Sequence, residues 1–228
     1  TIIHEVITNN HDLVLISAGR NKGTDKWLGS TIMHLLRKCP CPVWVVKPTQ
    51  TKDFKRILAA VDLEEGDTVK ADLNQNILQL ASSLARLNQS ELVIVNAWRL
   101  IGESILRGRA GISSRQIEIL LQETKEAHRR WLLDLLQRHE LDDINCQVYL
   151  LRGEAGEIIP ELANTKEIDL LVMGTVSRSG ISGLLIGNTA EKVLQKVDCS
   201  ILTIKPKGFI TPVRLNVEKD QTSTSIRS

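Results

Sequence analysis

The sequence predicts an α/β fold: a five-stranded parallel open sheet with helices on both faces. Two observations predict it. Between Arg56 and Ile204, short apolar runs alternate with stretches of helical periodicity, an order that needs crossover connections and therefore parallel strands. In addition, residues 12–48 (DLVLISAGRNKGTDKWLGSTIMHLLRKCPCPVWVVKP) repeat the pattern of residues 169–206 (DLLVMGTVSRSGISGLLIGNTAEKVLQKVDCSILTIKP). Both segments open Asp-Leu and run apolar, pass a Gly-rich loop, and enter a helical stretch at Gly29 or Gly187. Both end in Cys41 or Cys199, a β-branched run and Lys-Pro. From those glycines to Lys47-Pro48 and Lys205-Pro206 they register without a gap, while the loop upstream differs by one residue.

The second copy has about a hundred residues before the shared segment and reads as complete. The elements follow in order. Arg56–Val61 (RILAAV) is a short buried strand ending at Asp62. Over 71–88, Ile77, Leu80, Ala81, Leu84 and Leu87 fall on one helical face. Glu91–Trp98 (ELVIVNAW) is a second buried strand, and 101–112 a loop with three glycines. Ile117, Leu120, Leu121, Trp131, Leu132, Leu135 and Leu136 form the apolar stripe of a long helix over 113–139. A third strand is expected over 145–151, then a short helix over 154–164 that Pro160 disturbs. Strands over 168–173 and Ser200–Ile204 enclose a helix over about 188–197.

The first copy has only eleven residues before its shared segment. Residues 1–48 are therefore expected to be the C-terminal part of a first domain, 49–55 a linker, 56–206 a complete domain and 207–228 a flexible tail. A chain opening on Thr1 is expected of a fragment or a processed product.

Composition narrows the function. A net charge of +2 from 29 basic and 27 acidic residues gives no global field to draw a nucleic-acid backbone. With 3% aromatic residues, stacked-aromatic reading of single strands is not expected either. No apolar run approaches the ~18 residues of a membrane span. Four cysteines are too few for a disulfide scaffold at this length, so a reduced cytoplasmic setting is expected.

Ligands of such sheets bind beyond the carboxyl ends of the strands, where strand order reverses, which directs attention to Asp62, Asn96 and the loop after Met173. That loop carries Gly174, Gly180, Gly183 and Gly187 between a strand and a helix. Glycines let a ligand approach main-chain N–H groups, and the helix start adds unpaired amides and positive dipole. Asn188 and Thr189 can cap the helix or bond a phosphate oxygen, and Lys192 can add charge. The competing reading is that the glycines only make turns and Asn188 only caps. There is no G-x-x-x-x-G-K-[ST] loop and no G-x-G-x-x-G after the first strand.

These segments, MGTVSRSGISGLLIGNTAEKVL with CSILTIKP and RILAAVD, resemble the universal stress protein family in its tandem-domain form, over essentially all of 53–206 and, as the tail of a preceding copy, 12–48. The resemblance implies a flavodoxin-like sheet of the adenine nucleotide alpha hydrolase-like kind, and a cytoplasmic stress-response protein that binds an adenine nucleotide, ATP or ADP. Nucleotide-binding members carry G-x-x-G, nine residues, then G-[ST]. Gly174 matches the first glycine and Gly187 the last. Ser177 stands where the second glycine would be and Asn188 where Ser or Thr would be. Arg178, Ser179 and Gly180 fit the family's common loop. Asp62 matches an acidic residue that contacts the nucleoside, and Val95 lies near the position that meets adenine, with Met173 at the strand end before the loop. Ser177 brings a Cβ to a place of close approach, whereas Asn188 remains an N-cap with an amide to donate. In the first copy, Gly19, Gly29 and Ser30 match the later part of the motif only, so no independent site is expected there.

Other candidates are weaker. Cys39-Pro40-Cys41 lacks the companion ligands of a zinc site, and packing is the expected role of these cysteines. His128 and His139 are expected to face solvent. No H-E-x-x-H, no G-x-S-x-G and no acid–base pair is present, so a ligand-binding protein is expected rather than an enzyme. The alternative is an interaction module for a protein or a lipid-like molecule, with the apolar loop over 100–112 as a lid. The last strands of the two copies, Val43–Val46 and Ile201–Ile204, are expected to pair, as in similar tandem proteins, or to join two copies of the chain.

Overall fold

The computed structural model describes residues 1–19, 28–47, 53–108, 111–175 and 186–214. The N-terminal repeat contributes α1 (Ile2–Asn9), β1 (Val14–Ser17), α2 (Ser30–Lys38) and β2 (Val43–Val46). The complete repeat contributes β3 (Arg56–Val61), α3 (Thr68–Asn88), β4 (Glu91–Trp98), α4 (Glu103–Gly108), α5 (Ser114–Gln137), β5 (Cys146–Arg152), α6 (Ala155–Thr165), β6 (Leu170–Gly174), α7 (Asn188–Lys196) and β7 (Ser200–Ile204).

Among the described residues, all strands lie in one seven-stranded sheet of order β1-β2-β7-β6-β3-β4-β5. The complete repeat supplies five of them, β7-β6-β3-β4-β5, mutually parallel as expected. The larger sheet arises because β2 joins β7 antiparallel, the pairing of last strands expected from the resemblance to tandem proteins. Trp44 faces Leu202, which is its own equivalent in the repeat, and Val43 and Val45 face Thr203 and Ile201 on either side. The seam is therefore a local pseudo-twofold. Arg37 of α2 crosses it to Glu191 of α7 at 2.7 Å, and Lys47 reaches Asp198 at 2.6 Å.

Local chemistry explains the helix ends. The Asp67 carboxylate caps α3 at Lys70 N–H, and Ser113 with Gln116 forms a reciprocal capping box on α5. Alternation along the strands then builds two cores. Leu58, Ala60, Val93, Val95, Leu171 and Met173 share one core with residues of α6, α7 and α2. Ile57, Ala59, Ile94, Leu170 and Val172 share the other with residues of α3 and α5. In the N-terminal repeat, Leu13 and Leu15 stand where Leu170 and Val172 stand in the complete one. They are 46% and 64% exposed, because no described helix occupies the place that α3 takes in the complete repeat.

Four expectations change. Residues 2–9 form a helix that the sequence reading did not assign. Six residues of the presumed 101–112 loop form α4, tied down by Glu103 to Arg152 and Arg107. Helix α6 runs through Pro160 with the ring buried. Residues 207–214 are held in place rather than loose: Thr211 Oγ1 donates to Lys38 O at 2.7 Å and Val213 packs on the core. Residues 215–228 lie outside the described part, as do most of the presumed linker and Arg109 and Ala110.

Candidate functional site

Strand order reverses between β3 and β6: the chain leaves β3 toward β4 and β5 on one side and returns to β6 and β7 on the other. Across this point runs a row of paired residues, Tyr149, Val95, Ala60, Met173 and Thr203. Val95 and Met173 thus flank Ala60, and Asp62 lies just beyond the end of β3. The structure brings these three predicted residues together. Val95 and Met173 are buried, at 1% and 5% exposure.

Asp62 is fixed through its backbone. The buried Asn74 side chain accepts from Asp62 N–H at 3.0 Å and donates to Asp62 O at 2.8 Å. That leaves the carboxylate exposed, paired with Lys70 Nζ at 2.6 Å, which also holds Glu64 at 2.7 Å. Burial opposes the Lys70 charge, but the hydrogen bonds it donates to Asp62 and Glu64, with their negative charges, outweigh it and raise its pKa.

Asn96 is buried at the end of β4. Its Nδ2 donates to Val61 O at 3.0 Å, so its Oδ1 accepts, and His128 Nδ1–H donates to it at 2.9 Å. The His128 ring lies 5.0 Å from that of Trp131 and 6.3 Å from that of Trp98. The expectation that His128 and His139 face solvent is therefore wrong for both. His128 is part-buried and bonded, and the Nε2 of His139 is buried without a hydrogen bond. Burial lowers the His128 pKa, against a smaller opposing pull from Asp62. A lowered folded pKa makes stability whole above the ordinary value of 6.5 and lost as pH falls through the folded value. Urea denaturation between pH 7 and 5 is expected to show this loss, and His128→Gln, which keeps a donor for Asn96, to reduce it. His139, lowered by burial and by Arg86, adds to the same slope.

The Gly-rich loop is fastened at its base. Thr175 is fully buried, and its carbonyl accepts from Gly187 N–H at 2.9 Å. The Thr175 hydroxyl accepts from Lys205 Nζ, which also donates to Leu36 O at 2.6 Å, near the C-terminus of α2. The Phe209 ring covers the ammonium at 4.9 Å. Sequence reasoning missed Thr175 and the role of Lys205, although the repeated Lys-Pro marked the latter.

Gly187, not Asn188, is the N-cap of α7, and no side chain caps it. Asn188 is the first helical residue, and both it and Thr189 are exposed. The Lys192 stem lies against α6, where a Cβ on Gly156 would meet its Cβ and Cδ at 3.1 Å. Ser177, Arg178, Gly180 and Gly183 lie outside the described residues. Two cavities stand apart from this rim. One of about 450 Å³ opens in the seam between α2 and α7, with Leu28, Met33 and Leu194 among its lining. One of about 180 Å³ lies between α3 and α5, with Asn74 and Trp131 among its lining. Neither is lined by Val95, Met173 or Gly174.

Among the described residues no helix is long and apolar enough to cross a membrane, and no group of three or more His, Cys, Asp or Glu is placed to hold a metal ion. The sequence profile of the universal stress protein family matches residues 1–47 and 53–205. Universal stress protein E of Salmonella typhi is 33% identical over 221 residues, covering 96% of this chain and 69% of its own. Universal stress protein Sll1388 of Synechocystis is 27% identical over 158 residues, covering 67% of this chain and 98% of its own. A crystal structure of a functionally unknown protein from Pseudomonas aeruginosa PAO1 is similar at a TM-score of 0.69 and 29% identity, over 90% of this chain and 66% of that one. A universal stress protein from Archaeoglobus fulgidus shares the fold at a TM-score of 0.60 and 18% identity, over 89% and 66%. With matched order of elements, repeated tails and sequence profile, the chain belongs to the universal stress protein family.

Proposed function

We propose that this chain is a cytoplasmic stress-response protein that holds an adenine nucleotide, ATP or ADP, at the C-terminal rim of the complete repeat and does not turn it over. Asp62, Val95 and Met173 meet the nucleoside. Gly174, Ser177, Arg178, Gly180, Gly187, Asn188 and Thr189 form the phosphate end. The observation that carries this is the convergence at the strand-order reversal: Val95 and Met173 flank Ala60, Asp62 lies past the end of β3, and Gly187 is clasped to Thr175. Since Val95 and Met173 are buried, a nucleoside enters only as the side chains covering them move.

Calorimetric titration with ATP tests it. Aspartate is a favoured N-cap and Gly187 has φ −60°, which any residue adopts. Gly187→Asp therefore keeps the fold while setting a carboxylate against the phosphates, and ATP affinity is expected to fall about tenfold or more. Asp62→Asn is expected to weaken binding with little change in stability. Equal affinity in wild type and Gly187→Asp removes the loop from the site.

The seam cavity supports a second reading, in which a lipid-like molecule with a polar head occupies the space between α2 and α7, since its lining is apolar at Leu28, Met33 and Leu194 and charged at Arg37, Glu191 and Lys196. Mass spectrometry of what co-purifies separates the two readings.

A further inference from the structure

We propose that Cys39 and Cys41 are a redox-modification site, forming a reversible intramolecular disulfide at the end of α2. All four cysteines are free thiols. Cys39 and Cys41 touch, Sγ to Sγ, at 3.5 Å, while Cys146 sits on β5 and Cys199 just ahead of β7. Closing the pair to the ~2 Å of a disulfide needs a movement of about 1.5 Å. The ring it closes spans a single intervening residue, Pro40. Such short rings are strained, and strained disulfides are the easily reduced, regulatory kind.

The setting gives the two sulfurs different parts. Cys39 lies close enough to the Lys205 ammonium to act on it. Burial holds Cys41 as the thiol. With a hydroperoxide as oxidant, the Cys39 sulfur attacks the terminal oxygen, the O–O bond breaks and the Cys39 proton is released. The departing alkoxide takes up a proton, leaving an alcohol and a sulfenic acid on Cys39. Cys41 sulfur then attacks Cys39 sulfur, the S–O bond breaks, and hydroxide leaves as water with the Cys41 proton. Two thiols lose two electrons, and the peroxide gains them.

The location gives the bond a consequence. Cys39 is the C-cap of α2, its N–H bonded to Leu35 O at 2.9 Å. The neighbouring carbonyls of Leu36 and Lys38 hold Lys205 and Thr211. A shift of Cys39 is therefore felt at Lys205, and through it at Thr175.

The whole protein is to be treated with hydrogen peroxide in native buffer, quenched, then unfolded in urea containing N-ethylmaleimide so that buried thiols are blocked, and digested. Expected is a peptide carrying Cys39 and Cys41 that is lighter by two hydrogens and unblocked at both sulfurs, and that dithiothreitol restores. Cys146 and Cys199 remain blocked thiols. In Cys41→Ser, Cys39 is expected to stop at the sulfenic acid, captured by dimedone; because wild type carries the main readout, a misfolded variant does not decide the matter. Both cysteines blocked after treatment, a bond formed only in urea, or conversion of Cys39 straight to sulfonic acid overturns the proposal.

Discussion

Replacing Gly174 by valine is expected to destabilise the protein by about 2–3 kcal/mol, read as a lower urea midpoint with an unchanged slope. A Cβ at this position would lie 2.7 Å from Leu73 Cδ2 and 3.3 Å from Leu73 Cγ, with Ile77 next at 3.7 Å. Alanine adds that single Cβ, crowding one leucine, and is expected to cost less. Valine adds two more methyls to a place with room for none. If the contact with α3 is the cause, Leu73→Ala in the valine background restores part of the loss, and the two changes are non-additive. An equal loss with and without Leu73 overturns this account. On this account helix packing by itself favours glycine at the first position of the family's loop motif.

Lys205 gives the second large effect, and it depends on pH. Burial pushes its pKa down from 10.5 to about 8, with only Cys39 opposing. Below pH 8 the lysine is charged in both folded and unfolded chains, and the cost of burying the ammonium is borne in full. From about pH 8 toward 10.5 the folded state sheds its proton first, so the unfolded state binds more protons and stability rises. The full gain is about 3 kcal/mol. Lys205→Met keeps the length of the side chain and is expected to flatten that rise, so the difference between wild-type and variant curves isolates it. At pH 7 the variant is expected to lie within about 1–2 kcal/mol of wild type. The cost of burying the charge then offsets the lost hydrogen bonds to Leu36 O and Thr175 Oγ1. A wild-type curve that falls between pH 8 and 10 relative to Lys205→Met sinks the account.

Much of the fold was legible because burial on both faces writes strands as apolar runs. Ser200–Ile204 and Arg56–Val61 were read at their observed bounds, and the pairing of the two last strands was expected from similar tandem proteins. Ile2–Asn9 escaped because it precedes the shared segment. Glu103–Gly108 escaped because only two turns of helix, pinned by Glu103 and Arg152, stand among three glycines. His128 was misread for a different reason. Its place on α5 suggests solvent, yet Asn96 lies across from it on β4, and a buried amide that must place both its donor and its acceptor recruits the nearest side chain. Contacts between elements far apart in sequence are not written in the periodicity of either. Asp62 and the loop after Met173 were legible because strand ends at an order reversal are fixed by topology, whereas Val95 rested on the family resemblance.

The facing of Trp44 and Leu202 has a consequence for how the two halves recognise each other. Two identical chains meeting about a true dyad must set the same side chain against itself at the axis: indole on indole, or isobutyl on isobutyl. Covalent joining of two diverged copies lifts that constraint, and here a bulky group sits opposite a slender one. A seam fitted to unequal partners disfavours self-matching of either half, since one such match overcrowds the centre and the other leaves it hollow. The tether thus secures both proximity and fidelity of the match.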